Sequence, residues 1–116
     1  MLTIYTSYNC SSCKKSMMWL KEHGISHDEH NFFAKGLSEK DVYHILKYTE
    51  NGFEDIVSVR SKVYLSSKDD IDDMTIKELV NFIIEHPSVL RRPIIVDDVT
   101  ESVQVGYDIS EFQGFI

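Results

Sequence analysis

Two cysteines, Cys10 and Cys13, stand between a short apolar segment and the start of an amphipathic one. That placement restricts the folds open to the chain. Leu2 to Thr6 alternates apolar and polar residues, which predicts a strand, and Ser7-Tyr8-Asn9 is turn-like. A helix is expected from Ser11 or Ser12 to His23, with Met17, Leu20 and Trp19 on its buried side and Gly24 as its stop. The pair therefore opens a helix that follows a strand. Free backbone N–H groups and the helix dipole favour an anion there, and Lys14 and Lys15 add positive charge nearby. One helical turn brings Cys13 close enough to attack an oxidised Cys10. Cys10 is then the exposed nucleophile and Cys13 the resolving partner of a redox couple.

Other uses of the pair fit less well. A structural disulfide between them closes a very small loop and stabilises little by chain entropy. Zinc wants four N or S ligands, and these are the only two cysteines. His23, His27 and His30 are scattered by Gly24 and an intervening strand, so no metal site or other cofactor is expected. The chain has 116 residues, enough for a single domain with one main core. No run of about 18 apolar residues predicts a membrane span. The N-terminus lacks the basic start and long apolar run of a signal peptide, so a cytoplasmic location is expected. A formal net charge of −7 opposes direct binding to nucleic-acid phosphates. A role at DNA would run through a protein partner.

The rest of the chain alternates between clear and weak signals. His27 to Phe33 is read as a polar extended segment. Ser38 to Asp41 opens a helix whose face carries Val42, Ile45 and Leu46. Asn51-Gly52 marks a turn, Phe53 to Val59 a short helix or irregular connector, and Ser66 to Asp73 an exposed loop. Thr75 and Glu78 have capping-box spacing, and the helix they start should bury Leu79, Phe82 and Ile83 before Pro87 ends it. Pro93 to Asp97 is an apolar strand. Ser102 to Tyr107 is its hairpin partner, with Val103 and Val105 on one face, and Ser110 to Phe115 suggests a last short helix. The expected class is α/β, a small mixed sheet flanked by helices. Its sheet portion covers about 1–35 and 91–116, and a helical insertion subdomain covers about 36–90.

This order resembles thioredoxin-like folds, in which a cis-proline starts the strand facing the cysteine pair. Pro93 has that position, which would put Arg92 near Cys10, where a guanidinium can stabilise a thiolate, a sulfenate or an incoming oxyanion. Arg60, in Arg60-Ser61-Lys62, is a second basic candidate for the same face.

Several segments together resemble a narrower group. Tyr5-Thr6-Ser7 before Cys10-Ser11-Ser12-Cys13, Trp19-Leu20, Thr49-Glu50-Asn51-Gly52, Arg60-Ser61-Lys62-Val63, Glu85-His86-Pro87, Leu90-Arg91-Arg92-Pro93-Ile94-Ile95 and Gln104-Val105-Gly106-Tyr107 run almost the length of the chain. They resemble the Spx family of redox-sensing transcriptional regulators, within the wider arsenate-reductase-like (ArsC) family. The resemblance implies a monomer that binds the C-terminal domain of the RNA polymerase α subunit and reaches DNA only through polymerase. It implies a Cys10–Cys13 thiol/disulfide switch controlling thiol-stress genes, with Arg92 stabilising the oxidised form. By the same carry-over Gly52 lies in the α-subunit contact, where a glycine permits close backbone approach, and Lys47 is a candidate for the same interface.

Two departures stand out. Tyr8 occupies a position where family members often have proline, and the sequence ends at Ile116 without the longer polar tail that they use for proteolytic turnover. The competing expectations are enzymatic: a glutaredoxin-dependent arsenate reductase, or a general thiol–disulfide oxidoreductase. The arsenate enzymes normally carry a single cysteine in the motif and a further late arginine, whereas this chain has two cysteines and Gln104-Val105-Gly106-Tyr107. A non-enzymatic regulator is the favoured expectation.

Overall fold

The first strand, β1 (Leu2–Thr6), lies inside the sheet, with β2 (His27–Asn31) parallel on one side and β3 (Ile94–Asp97) antiparallel on the other. Antiparallel β4 (Ser102–Val105) completes the order β2-β1-β3-β4. The computed structural model describes residues 2–107. The expected terminal helix at Ser110 to Phe115 lies outside them.

The alternation of the strands divides the apolar side chains between two faces. Leu2 and Ile4 meet Ile95, and together with Trp19 and Leu20 of α1 (Ser11–Glu22) they form the smaller core. Tyr5, Ile94 and Val96 point the other way, into a larger core shared with the helices between β2 and β3. Val103 and Val105 pack against this larger core, on one face as the alternation predicts. All four residues of β3 are buried, as its unbroken apolar run implies for a strand covered on both sides.

Local chemistry sets the helix limits. Gly24, at φ 65°, ends α1; Ile25 N donates to Leu20 O at 2.9 Å and Gly24 N to Lys21 O at 3.1 Å, a Schellman pair of bonds. The buried side of α1 is Cys13, Ser16, Trp19 and Leu20, while Met17 is only partly buried. Ser38 and Asp41 form a reciprocal capping box at the start of α3 (Glu39–Leu46), and Thr75 and Glu78 form one at α6 (Ile76–Glu85). Val42 and Ile45 are buried from the first, and Val80, Phe82 and Ile83 from the second; Leu79 is half-buried. Pro87 follows α6 and starts a single 3₁₀ turn, Pro87–Val89.

Two expectations need correction. The segment from His27 does not stay extended to Phe33. Asn31 Oδ1 accepts from Phe33 N at 3.1 Å and Ala34 N at 3.2 Å, turning the chain into the short helix α2 (Phe32–Lys35). Ser66 to Asp73 is not a loop either, because residues 66–72 belong to α5 (Lys62–Asp72), capped by Ser61 on Tyr64 N. Its inward side is Val63, Tyr64, Ser67 and Ile71, so a serine interrupts the apolar period where it would have been read. The short helix expected after Gly52 is α4 (Phe53–Ile56); Val57 beyond it pairs with Leu90. Among the described residues no helix is long and apolar enough to cross a membrane.

Candidate functional site

The loop from β1 delivers Cys10 as the N-cap of α1, with extended backbone at φ −110° and ψ 104°. Its Sγ accepts a hydrogen bond from Cys13 N at 3.1 Å, the place a serine or aspartate oxygen usually takes. The two sulfurs are at disulfide distance, with the Cα atoms 5.2 Å apart. Cys13 is 1 % exposed, whereas Cys10 is partly accessible. The first turn of α1 holds no acidic residue, and Lys14 and Lys15 are exposed beside it. When the pair is reduced, a thiolate at Cys10 gains from the helix dipole and the Cys13 N–H, without local carboxylate repulsion.

The sheet register carries the other candidates to the same end of the fold. Tyr5 stands opposite Ile94, so Arg92 and Pro93 flank the point where β1 runs into the cysteine loop. The Arg92–Pro93 peptide is cis, as expected for a proline in this position. Pro93 O accepts from Gly106 N at 2.8 Å. The Arg92 guanidinium lies over the ring of Phe33, 5.7 Å from its centroid. Arg60 lines a depression with Glu54, Val57, Ser58, Val59 and Arg91. Arg60 is thus grouped with the neighbour of the arginine singled out from sequence. Phe33 was missed because an exposed aromatic after a polar strand carries no motif.

Lys47 and Gly52 bracket the connection from α3 to α4. Lys47 is the C-cap of α3, with its ammonium 5.2 Å from the Tyr48 ring centroid. Gly52 has φ 65° and ψ −128°, a conformation open essentially to glycine alone. A Cβ built there meets nothing within 4 Å, so backbone conformation, not crowding inside the chain, requires the glycine. The Asp55 carboxylate accepts from Asn51 N at 2.9 Å and Asn51 Nδ2 at 3.2 Å, bonds that fix the turn and hold the Asp55 carboxyl below its usual range.

Below this connection runs a polar line that no local pattern announced. The Tyr5 hydroxyl is 2.7 Å from His44 Nδ1, His44 Nε2 is 3.0 Å from Asp98 Oδ2, and the Tyr48 hydroxyl donates to Asp98 Oδ1 at 2.8 Å. Burial, then the charges of Asp41 and Asp98, push the Tyr5 hydroxyl well above its ordinary value, so it stays a neutral phenol. The Asp98 carboxylate can only accept, so His44 Nε2 donates to it, and on a neutral ring Nδ1 is then the acceptor for the Tyr5 hydroxyl. No group of three His, Cys, Asp or Glu suited to a metal ion occurs among the described residues.

A mixed sheet with a cysteine pair at the first helix and a cis-proline before β3 defines a thioredoxin-like protein. The fold is shared with an arsenate reductase from Vibrio cholerae (TM-score 0.82, 16 % identity, covering 99 % of this chain and 97 % of that one). An ArsC family related protein from Bacteroides fragilis is similar to the same degree (TM-score 0.80, 18 % identity, 99 % and 97 % covered). At such identities these likenesses show the fold alone. The sequence profile of the ArsC family matches residues 5–115. The global transcriptional regulator Spx of Streptococcus mutans is 42 % identical over 116 residues, covering 100 % of this chain and 83 % of its own length. Spx 1 of Lactococcus lactis is 41 % identical, with 100 % and 89 % covered. The chain belongs to the ArsC family and, within it, to the Spx transcriptional regulators. Relatives at this identity are named regulators, in keeping with a chain that is not an enzyme.

Proposed function

We propose that this protein regulates transcription by binding the C-terminal domain of the RNA polymerase α subunit, and that Cys10 and Cys13 form its thiol/disulfide switch. The observation that carries the reading is the cysteine pair itself: an accessible Cys10 capping α1, its sulfur at bonding distance from a buried Cys13. With hydrogen peroxide as oxidant, the Cys10 thiolate takes one oxygen to become a sulfenic acid and releases hydroxide, which is protonated to water. The Cys13 sulfur then attacks Cys10, and the sulfenic oxygen leaves as a second water. Two thiols thus lose two electrons and two protons to one peroxide.

Gly52 and Lys47 are assigned to the α-subunit contact, supported by the open surface at Gly52 and the exposure of Lys47. Arg92 is assigned to stabilising the oxidised form, with Arg60 and Pro93 on the active face. The charge of Arg92 acting directly on sulfur would favour the thiolate, which is the reduced form. Favouring the disulfide therefore requires guanidinium hydrogen bonds to the surrounding loop, not the charge alone. DNA is reached through polymerase, as the net charge of −7 favours. A monomer acting in the cytoplasm completes the reading.

The test is binding to purified α C-terminal domain by calorimetry, and transcription from a thiol-stress promoter, with the protein reduced and oxidised. Binding in both states with activation confined to the oxidised one is expected. Gly52→Arg should lower affinity at least tenfold, since a long side chain enters the contact. Absence of binding in either state rejects the regulator assignment, and catalytic turnover of a disulfide substrate would replace it with an oxidoreductase.

A further inference from the structure

Phe33 is 41 % exposed, while Phe32 beside it is buried in the larger core. Phe32 therefore anchors α2, and Phe33 lies at the surface with its ring centroid 5.1 Å from that of Phe32. Its backbone is nevertheless fixed, since Asn31 Oδ1 accepts from both Phe33 N and Ala34 N. The ring so placed carries the Arg92 guanidinium over its face, 5.7 Å from the centroid.

The topology gives this contact a particular span. Phe33 follows β2, Arg92 precedes β3, and β1 lies between those two strands. Thr6, the last residue of β1, is level with Asn31, and Tyr5 is level with Ile94. The stack consequently bridges both neighbours of β1 at the end from which the chain runs into the Cys10 loop. We propose that Phe33 is a positioning residue for Arg92, its ring holding the guanidinium across the exit of β1. This rests on the assignment of Arg92 to stabilising the disulfide. A guanidinium stacks on an aromatic face by cation–π attraction and by its own planarity. Without the ring, a long arginine side chain regains its many rotamers and spends less time in any one geometry.

The test equilibrates the full chain in buffers of reduced and oxidised glutathione, where the two thiols pass two electrons and two protons to one glutathione disulfide. The oxidised fraction is then read by mass after alkylation. Phe33→Leu keeps apolar bulk without the π face, Phe33→Met is a second such variant, and Phe33→Tyr keeps the face. The two ring-free variants should lower the equilibrium constant for disulfide formation by about two- to fivefold. Phe33→Tyr should retain the wild-type value. Arg92→Ala should lower it at least as far, and Phe33→Leu combined with Arg92→Ala should lower it no further than Arg92→Ala alone. A shift with Arg92→Ala but none with Phe33→Leu or Phe33→Met overturns the role of Phe33 and leaves that of Arg92 standing. No shift with Arg92→Ala overturns both. Additive effects in the double variant also overturn the positioning role, because Phe33 would then act without Arg92.

Discussion

Tyr5, the neighbouring His44 and Tyr48, and Asp98 come from three parts of the chain and share one line of hydrogen bonds. Each member sets the state of the next. The Tyr48 hydroxyl, then His44, hold the Asp98 carboxyl below its ordinary range. A carboxylate whose folded pKa is depressed contributes stability above its unfolded value of about 3.9, and that contribution disappears as pH falls through the lower folded value. Urea midpoints measured from pH 6 down to pH 2 should therefore fall less steeply for Asp98→Asn than for wild type. The difference should be small, because the Asp98 side chain is 40 % exposed and solvent screens it. Tyr5 works in the opposite direction. Its raised pKa favours the neutral phenol in the folded state, so its contribution is complete below about 10 and lost as pH rises beyond that. Tyr5→Phe should cost about 1 kcal/mol at neutral pH through the bond to His44, and should flatten the alkaline decline in urea midpoint. None of this network was legible in the sequence, because its bonds join residues 39 and 54 positions apart. The cysteine pair was legible because strand, turn and helix place it by local rules, and Pro93 because it matches the cis-proline position of thioredoxin-like folds.

At the scale of elements, legibility followed the strength of the caps and the continuity of the apolar period. Ser38/Asp41 and Thr75/Glu78 announced α3 and α6 through chemistry within four residues. α5 was hidden because Ser67 sits where an apolar residue would have completed the stripe between Val63 and Ile71. α2 was hidden because a four-residue helix has no period to read, and its Asn31 cap also belongs to β2. These differences carry energetic consequences. Thr75→Ala removes the acceptor for Glu78 N and the partner of the Glu78 carboxylate, which should cost about 1 kcal/mol in urea unfolding. Ile83→Ala, in the same helix but fully buried in the larger core, should cost about 2–5 kcal/mol. A cap loss equal to the core loss would mean that α6 is held chiefly by its own terminus instead of by packing. Arg91 also belongs at this scale. Its N–H donates to Ile56 O at 2.9 Å, and its side chain lines the depression with Arg60. It ties the end of α4 to the approach to β3, a role that adjacent arginines in a sequence cannot distinguish.

For the whole molecule, the consequence of one sheet between two unequal cores is that the cysteine helix depends on the smaller one. α1 rests on Leu2, Ile4 and Ile95 through Trp19 and Leu20, and the helices carrying Lys47 and Gly52 rest on the larger core on the opposite face. β1 and β3 are common to both, so global unfolding should remain cooperative while local loosening can differ between the faces. Leu20 and Ile45 are each fully buried, one on each side, and Leu20→Ala and Ile45→Ala should each cost about 2–5 kcal/mol. Their local effects should diverge. Cys13 is shielded on α1, so in the reduced protein Leu20→Ala should speed alkylation of Cys13 well beyond any change caused by Ile45→Ala, under conditions where both variants remain folded. Amide exchange should show the same asymmetry along Ser11–Glu22. Equal acceleration of Cys13 by the two variants would mean that both faces open as a single unit. A difference confined to Leu20→Ala would mean that the cysteine helix can loosen while the surface around Gly52 keeps its shape. That separation is what the proposed redox switch and the proposed partner contact would require on one small domain, because it would let the state of the sulfurs vary without dissolving the surface around Gly52.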